Sequence, residues 1–115
     1  MKRDDTVYLR HIVDAIHRIE RHLGGVSRDD FFESELVQDA EVRQLEIIGE
    51  AARNVSDDFR QAHAEVLWSE IVGMRNRLIH AYFQVDLAIV WEIVEGDLPL
   101  LKDQIDRLIL SHGGT

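Results

Sequence analysis

Cysteine is absent from this chain of 115 residues, and proline occurs only once. Without cysteine, a disulfide scaffold, a thiolate zinc site and a cysteine nucleophile are all excluded. No apolar run approaches the roughly 20 residues that a membrane-spanning helix needs. Acidic residues occupy the N-terminal positions where a signal peptide would have its apolar core. The sequence therefore predicts a single soluble, cytoplasmic domain over residues 1–115, with no membrane partner.

Basic residues are also scarce, because 13 Lys and Arg face 22 Asp and Glu and give a formal net charge of -9. This acidity argues against a protein that coats nucleic acid through general basicity. The acidic excess is confined to residues 29–70, whereas the longest stretch without Asp or Glu, residues 71–85, contains Arg75, Arg77 and His80. We therefore expect any contact with an anionic partner to be small and focused on residues 71–85, with the acidic middle facing solvent or a basic partner. Bundle helices commonly carry patches of one sign, so charge alone leaves a purely structural interpretation open.

Apolar residues recur at spacings of three and four throughout the chain, and no window alternates with period two. The first helix carries an apolar stripe from Leu9 to Leu23 and should end at Gly24. A later helix is predicted to turn Leu36 and Ile48 inward, and another is predicted from about Leu67 to Tyr82. N-caps are predicted at Asp4, Asp5 or Thr6 for the first helix, and at Ser27, Ser34, Ser56 or Asp57, and Asp86 for later ones.

The last predicted helix contains Gly96 and Pro99, which should kink or interrupt it because proline lacks a helix donor and clashes with the preceding turn. Together the segments predict an all-α fold, an up-and-down bundle of four main helices plus short turns.

The acid-free stretch contains the side chains best suited to chemistry on RNA. Arg75 is a permanent cation whose planar fork of donors suits phosphate oxygens. His80 titrates near neutral pH and can take or give a proton. On a continuous helix Asn76 would share a face with His80, and Tyr82 would lie on nearly the same face as Arg75. Such a helix places Arg75 and His80 roughly 140° apart, so a groove between helices or a twofold dimer would be needed to bring them together.

Other candidate residues have simpler structural interpretations. His11, His17 and His22 include no pair four residues apart, so they do not form the usual helical metal site, and we predict neither a metal nor a cofactor. Glu46 and Glu50 are four apart on one helix face and could pair with Arg53 or with a basic motif elsewhere. A role of Glu50 in orienting Arg75 is left open. Chemistry alone also allows the motif to be a solvated arginine and a half-buried histidine.

The pattern Arg75-Asn76-x-x-x-His80-x-Tyr82, followed by Val-Asp and Trp91, resembles the HEPN superfamily. More narrowly it is similar to the HepT-like toxins of the MNT/HEPN toxin–antitoxin modules. The segments Leu45–Ala52 and Trp68–Arg75 match the same family, so the resemblance covers nearly the whole chain.

This resemblance implies a helical bundle that dimerises, with the Arg-x4-His motifs lining a cleft at the dimer interface. The implied activity is that of a metal-independent endoribonuclease toxin in which Arg75 and His80 are catalytic and Asn76 is an orienting residue of the site. The implied partner is an MNT-type nucleotidyltransferase antitoxin, which can transfer AMP to Tyr82 and form a larger hetero-oligomer with the homodimer. A bulky anion there would block RNA by steric hindrance and repulsion.

Two other functions remain open at this point. The chain could be a non-catalytic helical module that docks a nucleotidyltransferase or binds a nucleotide, or a helical dimer without a ligand. An adjacent gene for a small nucleotidyltransferase would favour the first two interpretations over the third.

Overall fold

A computed structural model of the protein describes residues 4–79 and 84–112. Within these ranges the chain is helical apart from turns and one isolated bridge between Ile79 and Val85, so the predicted all-α class is confirmed. The helices in chain order are α1 (Asp5–Leu23), α2 (Arg28–Glu33), α3 (Glu35–Asn54), α4 (Asp57–Ala62), α5 (Trp68–Val72), α6 (Met74–Leu78), α7 (Leu87–Glu92) and α8 (Leu98–Ser111), with a π-helical segment (Ile93–Asp97) between α7 and α8.

Local side-chain chemistry explains where five of the described helices begin. Ser27, Ser34, Ser56 and Asp86 each accept a hydrogen bond from the backbone N–H three residues ahead. The Asp4 carboxylate caps α1 by accepting hydrogen bonds from Thr6, two residues ahead, and these bonds from the hydroxyl and the N–H lower the pKa of the carboxyl. The N-cap predictions are confirmed at Asp4, Ser27, Ser34, Ser56 and Asp86, which therefore mark where their helices begin.

Two contacts between residues that are far apart in sequence show that α1 and α3 are antiparallel neighbours. Near the end of α1, His22 Nδ1 lies 2.8 Å from Oε1 of Glu41, early in α3. At the other end, the N–H and the hydroxyl of Ser56 each donate a hydrogen bond of 2.8 Å to the carboxylate of Asp5. On α8, Lys102 Nζ donates to Glu20 of α1 at 3.1 Å. The long helices therefore run up and down around a shared core.

The buried face of α3 departs from the prediction at its first turn. Ile48 is fully buried as expected, and Leu45 is buried beside it, but Leu36 is 81% exposed. Leu36 is exposed because an α-helix turns about 100° per residue, which places Leu36 about 120° around the helix from Ile48 and away from its buried face. Glu41 lies about two helical turns before Ile48, on nearly the same face, and its side chain is fully buried. Leu36 was therefore wrongly predicted to face inward.

The predicted helix from Leu67 to Tyr82 is wrong in its continuity and in its length. The structure has two short helices, α5 and α6, separated at Gly73, and α6 ends at Leu78. Ile79 has extended backbone angles (φ -111°, ψ 121°), and the Leu78 carbonyl accepts a hydrogen bond from the Asp86 N–H at 2.8 Å. The chain therefore leaves the helix before His80, and the helical-face argument that linked Arg75, His80 and Tyr82 loses its premise.

The predicted disturbance at Gly96 and Pro99 is confirmed and has a defined form. The backbone stays helical from Leu87 to Ser111 but widens to a π-helical segment over Ile93–Asp97. Pro99 stands just after this segment and has no N–H to donate to the preceding turn, so the regular hydrogen-bond pattern is interrupted where the helix widens. No helix in the described ranges has the length and apolarity required to cross a membrane.

Candidate active-site groove

Arg75 lies in a groove between α1, α3 and the short helices α5 and α6. The groove encloses about 350 Å³. We call it the Arg75 groove, and its charged and aromatic lining consists of Tyr8 and His11 from α1, Arg43, Glu46, Glu50 and Arg53 from α3, and Arg75 from α6. Three elements distant in sequence thus contribute polar side chains to one concave surface.

A glycine on α3 lets the short helices come close enough to form this groove. A Cβ atom on Gly49 would lie 3.0 Å from the Ile71 carbonyl oxygen and 3.3 Å from the Met74 Cβ. Contacts this short mean that even a methyl group would push against its neighbours, so the absence of a side chain lets α3 come close to the α5–α6 backbone. Because Met74 precedes Arg75, this close approach sets where the Arg75 side chain leaves the backbone.

Glu46 is the carboxylate nearest to Arg75. Its Oε2 lies 3.7 Å from Arg75 Nε, and the arginine side chain remains 64% exposed. An exposed ion pair of this kind contributes only about 0–1 kcal/mol to stability, so its main effect is to orient the Arg75 side chain. Since the contact uses the Nε side of the guanidinium, the terminal amino groups remain available for phosphate oxygens.

The sequence left open that Glu46 and Glu50 pair with a basic motif elsewhere in the chain, and the contact of Glu46 with Arg75 agrees with this for Glu46. Glu46 and Glu50, which belong to residues 29–70, both line the groove beside Arg75. The same face of α3 also supplies Arg43 and Arg53 to the groove. Folding therefore brings acids to a segment that has none in sequence, together with two further cations.

The other predicted site residues are placed as follows. Asn76 follows Arg75 on α6 and is exposed, but it does not line the groove. Glu50 lines the groove without an ion pair to Arg75 among the described residues, so its supporting role stays a prediction. His80 and Tyr82 lie outside the described residues.

Arg77 is on the same short helix as Arg75 but serves another surface. Its Nη2 donates to Asp97 Oδ2 at 3.2 Å, which links α6 to the π-helical segment. The two arginines of the acid-free stretch therefore have different roles. Arg75 faces a groove, whereas Arg77 holds two elements together.

The histidines and tryptophans singled out in the sequence are mostly explained by packing. Trp68 is buried and its indole N–H donates to the His63 carbonyl at 2.9 Å, while Trp91 packs against Phe31. His22 contacts Glu41, and burial raises the pKa of that glutamate despite the opposing effect of His22. In the described parts of the chain, no three His, Asp or Glu side chains are grouped so that they could hold a metal ion.

Comparison with known proteins assigns the chain to a family. A family model described as "Ribonuclease HepT-like" matches residues 12–108. The chain belongs to the HepT-like ribonuclease family. This confirms the resemblance to HEPN proteins that the motif around Arg75 indicated.

Several curated relatives support the same HepT-like assignment. A "Probable ribonuclease HepT" of Thermococcus cleftensis is 43% identical over 108 residues, which cover 94% of this chain and 98% of that protein. A protein named "Putative RNase TTE0752" in Caldanaerobacter subterraneus is 40% identical over 102 residues, covering 89% of this chain and 91% of that protein.

One relative is longer than this chain. The "Gamma-glutamylcyclotransferase and putative RNase MJ0434" of Methanocaldococcus jannaschii is 42% identical over 109 residues, or 95% of this chain. This chain spans only 49% of its length. No solved structure is significantly similar to the chain.

Sequence reasoning missed part of the HepT-like groove, although a signal was present. Arg43, Glu46, Glu50 and Arg53 recur at spacings of three, four and three, which places four charges on one face of α3. That periodic charged stripe marks a functional or solvent-exposed face. It does not reveal that α6 lies against it, because that contact depends on the close approach at Gly49.

Proposed function

We propose that this chain is the toxin of a toxin–antitoxin module and a metal-independent endoribonuclease that uses Arg75 and His80. The observation that carries the proposal is the position of Arg75. Within a HepT-like fold, it presents its free guanidinium edge to a groove that also holds His11 and two further arginines. RNA cleavage needs a cation at the phosphate and a titratable group nearby, and this segment supplies both.

In this mechanism the neutral imidazole of His80 removes the proton from a ribose 2′-hydroxyl. The 2′-oxygen attacks the adjacent phosphorus, and Arg75 neutralises the charge that builds on the phosphoryl oxygens. The 5′-oxygen then leaves and takes a proton from an imidazolium, so the products are a 2′,3′-cyclic phosphate and a 5′-hydroxyl. In a homodimer with both motifs in one interfacial cleft, the second His80 can supply that proton. Asn76, next to Arg75, orients the reacting groups.

Regulation would come from a nucleotidyltransferase antitoxin of the MNT type. The Tyr82 hydroxyl attacks the α-phosphate of ATP, the phenolic proton leaves, and pyrophosphate is released as AMP becomes attached. An adenylyl group two residues after His80 places a bulky anion where the RNA phosphate must bind. The toxin is then inactive in a complex of its homodimer with the antitoxin.

The activity is tested with the purified chain, without its partner, on total RNA in excess EDTA. We expect cleavage that leaves 2′,3′-cyclic phosphate ends, and loss of cleavage in His80→Ala with an unchanged circular dichroism spectrum. A requirement for added metal, or full activity in His80→Ala, would contradict the assignment. Co-expression with the neighbouring nucleotidyltransferase should restore growth and add the mass of one AMP to the Tyr82 peptide, and it should not do so in Tyr82→Phe.

The alternative is a non-catalytic module that docks a nucleotidyltransferase or binds a nucleotide. The charged groove is compatible with it, since an arginine can bind a nucleotide phosphate as well as an RNA phosphate. This alternative predicts a tight complex with the nucleotidyltransferase and no cleavage of any RNA. The cleavage assay therefore separates the two functions.

A further inference from the structure

Two arginines of the Arg75 groove have no role in the chemistry described so far. Arg43 and Arg53 are both exposed on α3, and among the described residues neither forms an ion pair. Arg75, in contrast, contacts Glu46, so among the described residues the groove contains one paired arginine and two unpaired ones. Glu50 lies one helical turn before Arg53 and still leaves it unpaired.

Their spacing places these arginines on either side of Arg75. They are ten residues apart on α3, which corresponds to about 15 Å along a helix that rises about 1.5 Å per residue. Glu46, the residue that contacts Arg75, lies between them in sequence and on the same face. The guanidinium of Arg75 is therefore flanked by Arg43 towards the start of α3 and by Arg53 towards its end.

This arrangement fits an extended polyanion better than a single small anion. Phosphates on one nucleic acid strand follow each other at about 3.4 Å of axial rise in a stacked helix, so a separation of about 15 Å spans several nucleotides. Glu46 and Glu50 stand between the outer arginines and reduce the attraction for one free phosphate at the centre. A strand that crosses the groove can contact both outer cations at once.

We infer that Arg43 and Arg53 bind the backbone phosphates of single-stranded RNA on either side of the bond held at Arg75. This inference rests on the proposed ribonuclease function and adds the path of the substrate along α3. It also makes the required RNA longer than a dinucleotide. Because both contacts are to phosphates, they contribute affinity and not base preference.

The test compares two double variants in a His80→Ala background, where RNA is not consumed. Arg43→Ala/Arg53→Ala removes the two outer cations, and Arg18→Ala/Arg107→Ala removes two exposed arginines outside the groove as a match for net charge. The affinity for a labelled 12-nucleotide single strand is measured over a series of salt concentrations. The groove variant should bind about tenfold more weakly. Its plot of log affinity against log salt should lose about 1.4 units of slope, because each phosphate contact on a single strand contributes about 0.7.

Equal losses in the two double variants, or no loss in either, would overturn the inference. Its failure can be separated from failure of the ribonuclease proposal. If the wild-type chain cuts RNA and Arg43→Ala/Arg53→Ala cuts a 12-nucleotide strand with unchanged KM, the function stands and the phosphate path is wrong. If the wild-type chain never cuts RNA but binds it through Arg43 and Arg53, the path stands and the function is wrong.

Discussion

The long helices α1 and α3 and the short helices α5 and α6 build opposite sides of one groove in different ways. The long pair is held by buried residues such as Ile12 and Ile48 and by polar contacts at both ends, from Asp5–Ser56 to His22–Glu41. The short pair is held by its own buried residues, such as Ile71 and Leu78, and its backbone comes close to α3 at Gly49. The comparison teaches that the long pair is tied by contacts along its length, whereas the approach at Gly49 bears directly on where Arg75 lies.

The largest effect on stability is expected in the long pair. Leu45→Ala should lower the free energy of unfolding by about 2–5 kcal/mol, because it leaves a cavity at a fully buried position of α3. Leu36→Ala on the same helix is the matched control and should change stability by less than about 0.5 kcal/mol, since Leu36 is 81% exposed. Urea unfolding of both variants measures the difference. Similar losses in the two variants would contradict the assigned faces of α3.

A smaller loss of stability, but a clear loss of activity, is expected at the contact between the two pairs. Gly49→Ala forces the α5–α6 backbone away from α3 and should cost about 1–3 kcal/mol. It should also lower RNA cleavage, since Arg75 moves with α6. Gly96→Ala is the control, because a Cβ at Gly96 meets no atom within 4 Å. If Gly49→Ala and Gly96→Ala have the same melting temperature and the same rate of RNA cleavage, Gly49 does not position the groove.

The smallest expected effect is a pH dependence within the long pair. Burial raises the pKa of the Glu41 carboxyl above its ordinary value of 4.5, so the folded state holds this proton more tightly than the unfolded chain does. The contribution of Glu41 to stability is therefore complete below that value and is lost as the pH rises through the raised pKa.

Glu41→Gln should consequently gain in melting temperature relative to the wild type as the pH rises above 4.5, the ordinary value of this carboxyl. Glu35→Gln, at the exposed start of the same helix, controls for the removal of one negative charge. A melting difference for Glu41→Gln that stays constant as the pH rises would contradict the raised pKa.

The same contrast explains how much the sequence could predict. Caps and apolar stripes are local signals, so Asp4, Ser34 and Asp86 could be placed correctly as helix starts. The end of α6 could not, because Leu78 gives its carbonyl to Asp86 instead of continuing the helix. That hydrogen bond joins residues eight positions apart, and helical periodicity carries no information about it.

The candidate site was predictable in its residue types but not in its surroundings. The motif itself indicated Arg75, since an arginine followed by a histidine suits phosphate chemistry. Its pairing with Glu46 and its position between Arg43 and Arg53 depend on tertiary packing across Gly49. An acid-free stretch in sequence therefore did not predict an acid-free environment in the fold.

The central claim is that the Arg75 groove is where this chain cleaves RNA. The most direct test measures RNA cleavage in EDTA by Arg75→Ala and Arg77→Ala, two variants that remove the same charge from the same short helix. We predict that Arg75→Ala lowers kcat by about 100-fold or more, as expected when a group that stabilises the transition state is removed. Arg77→Ala should retain most of the activity, because Arg77 contacts Asp97 outside the groove. Equal activity in the two variants would contradict the claim.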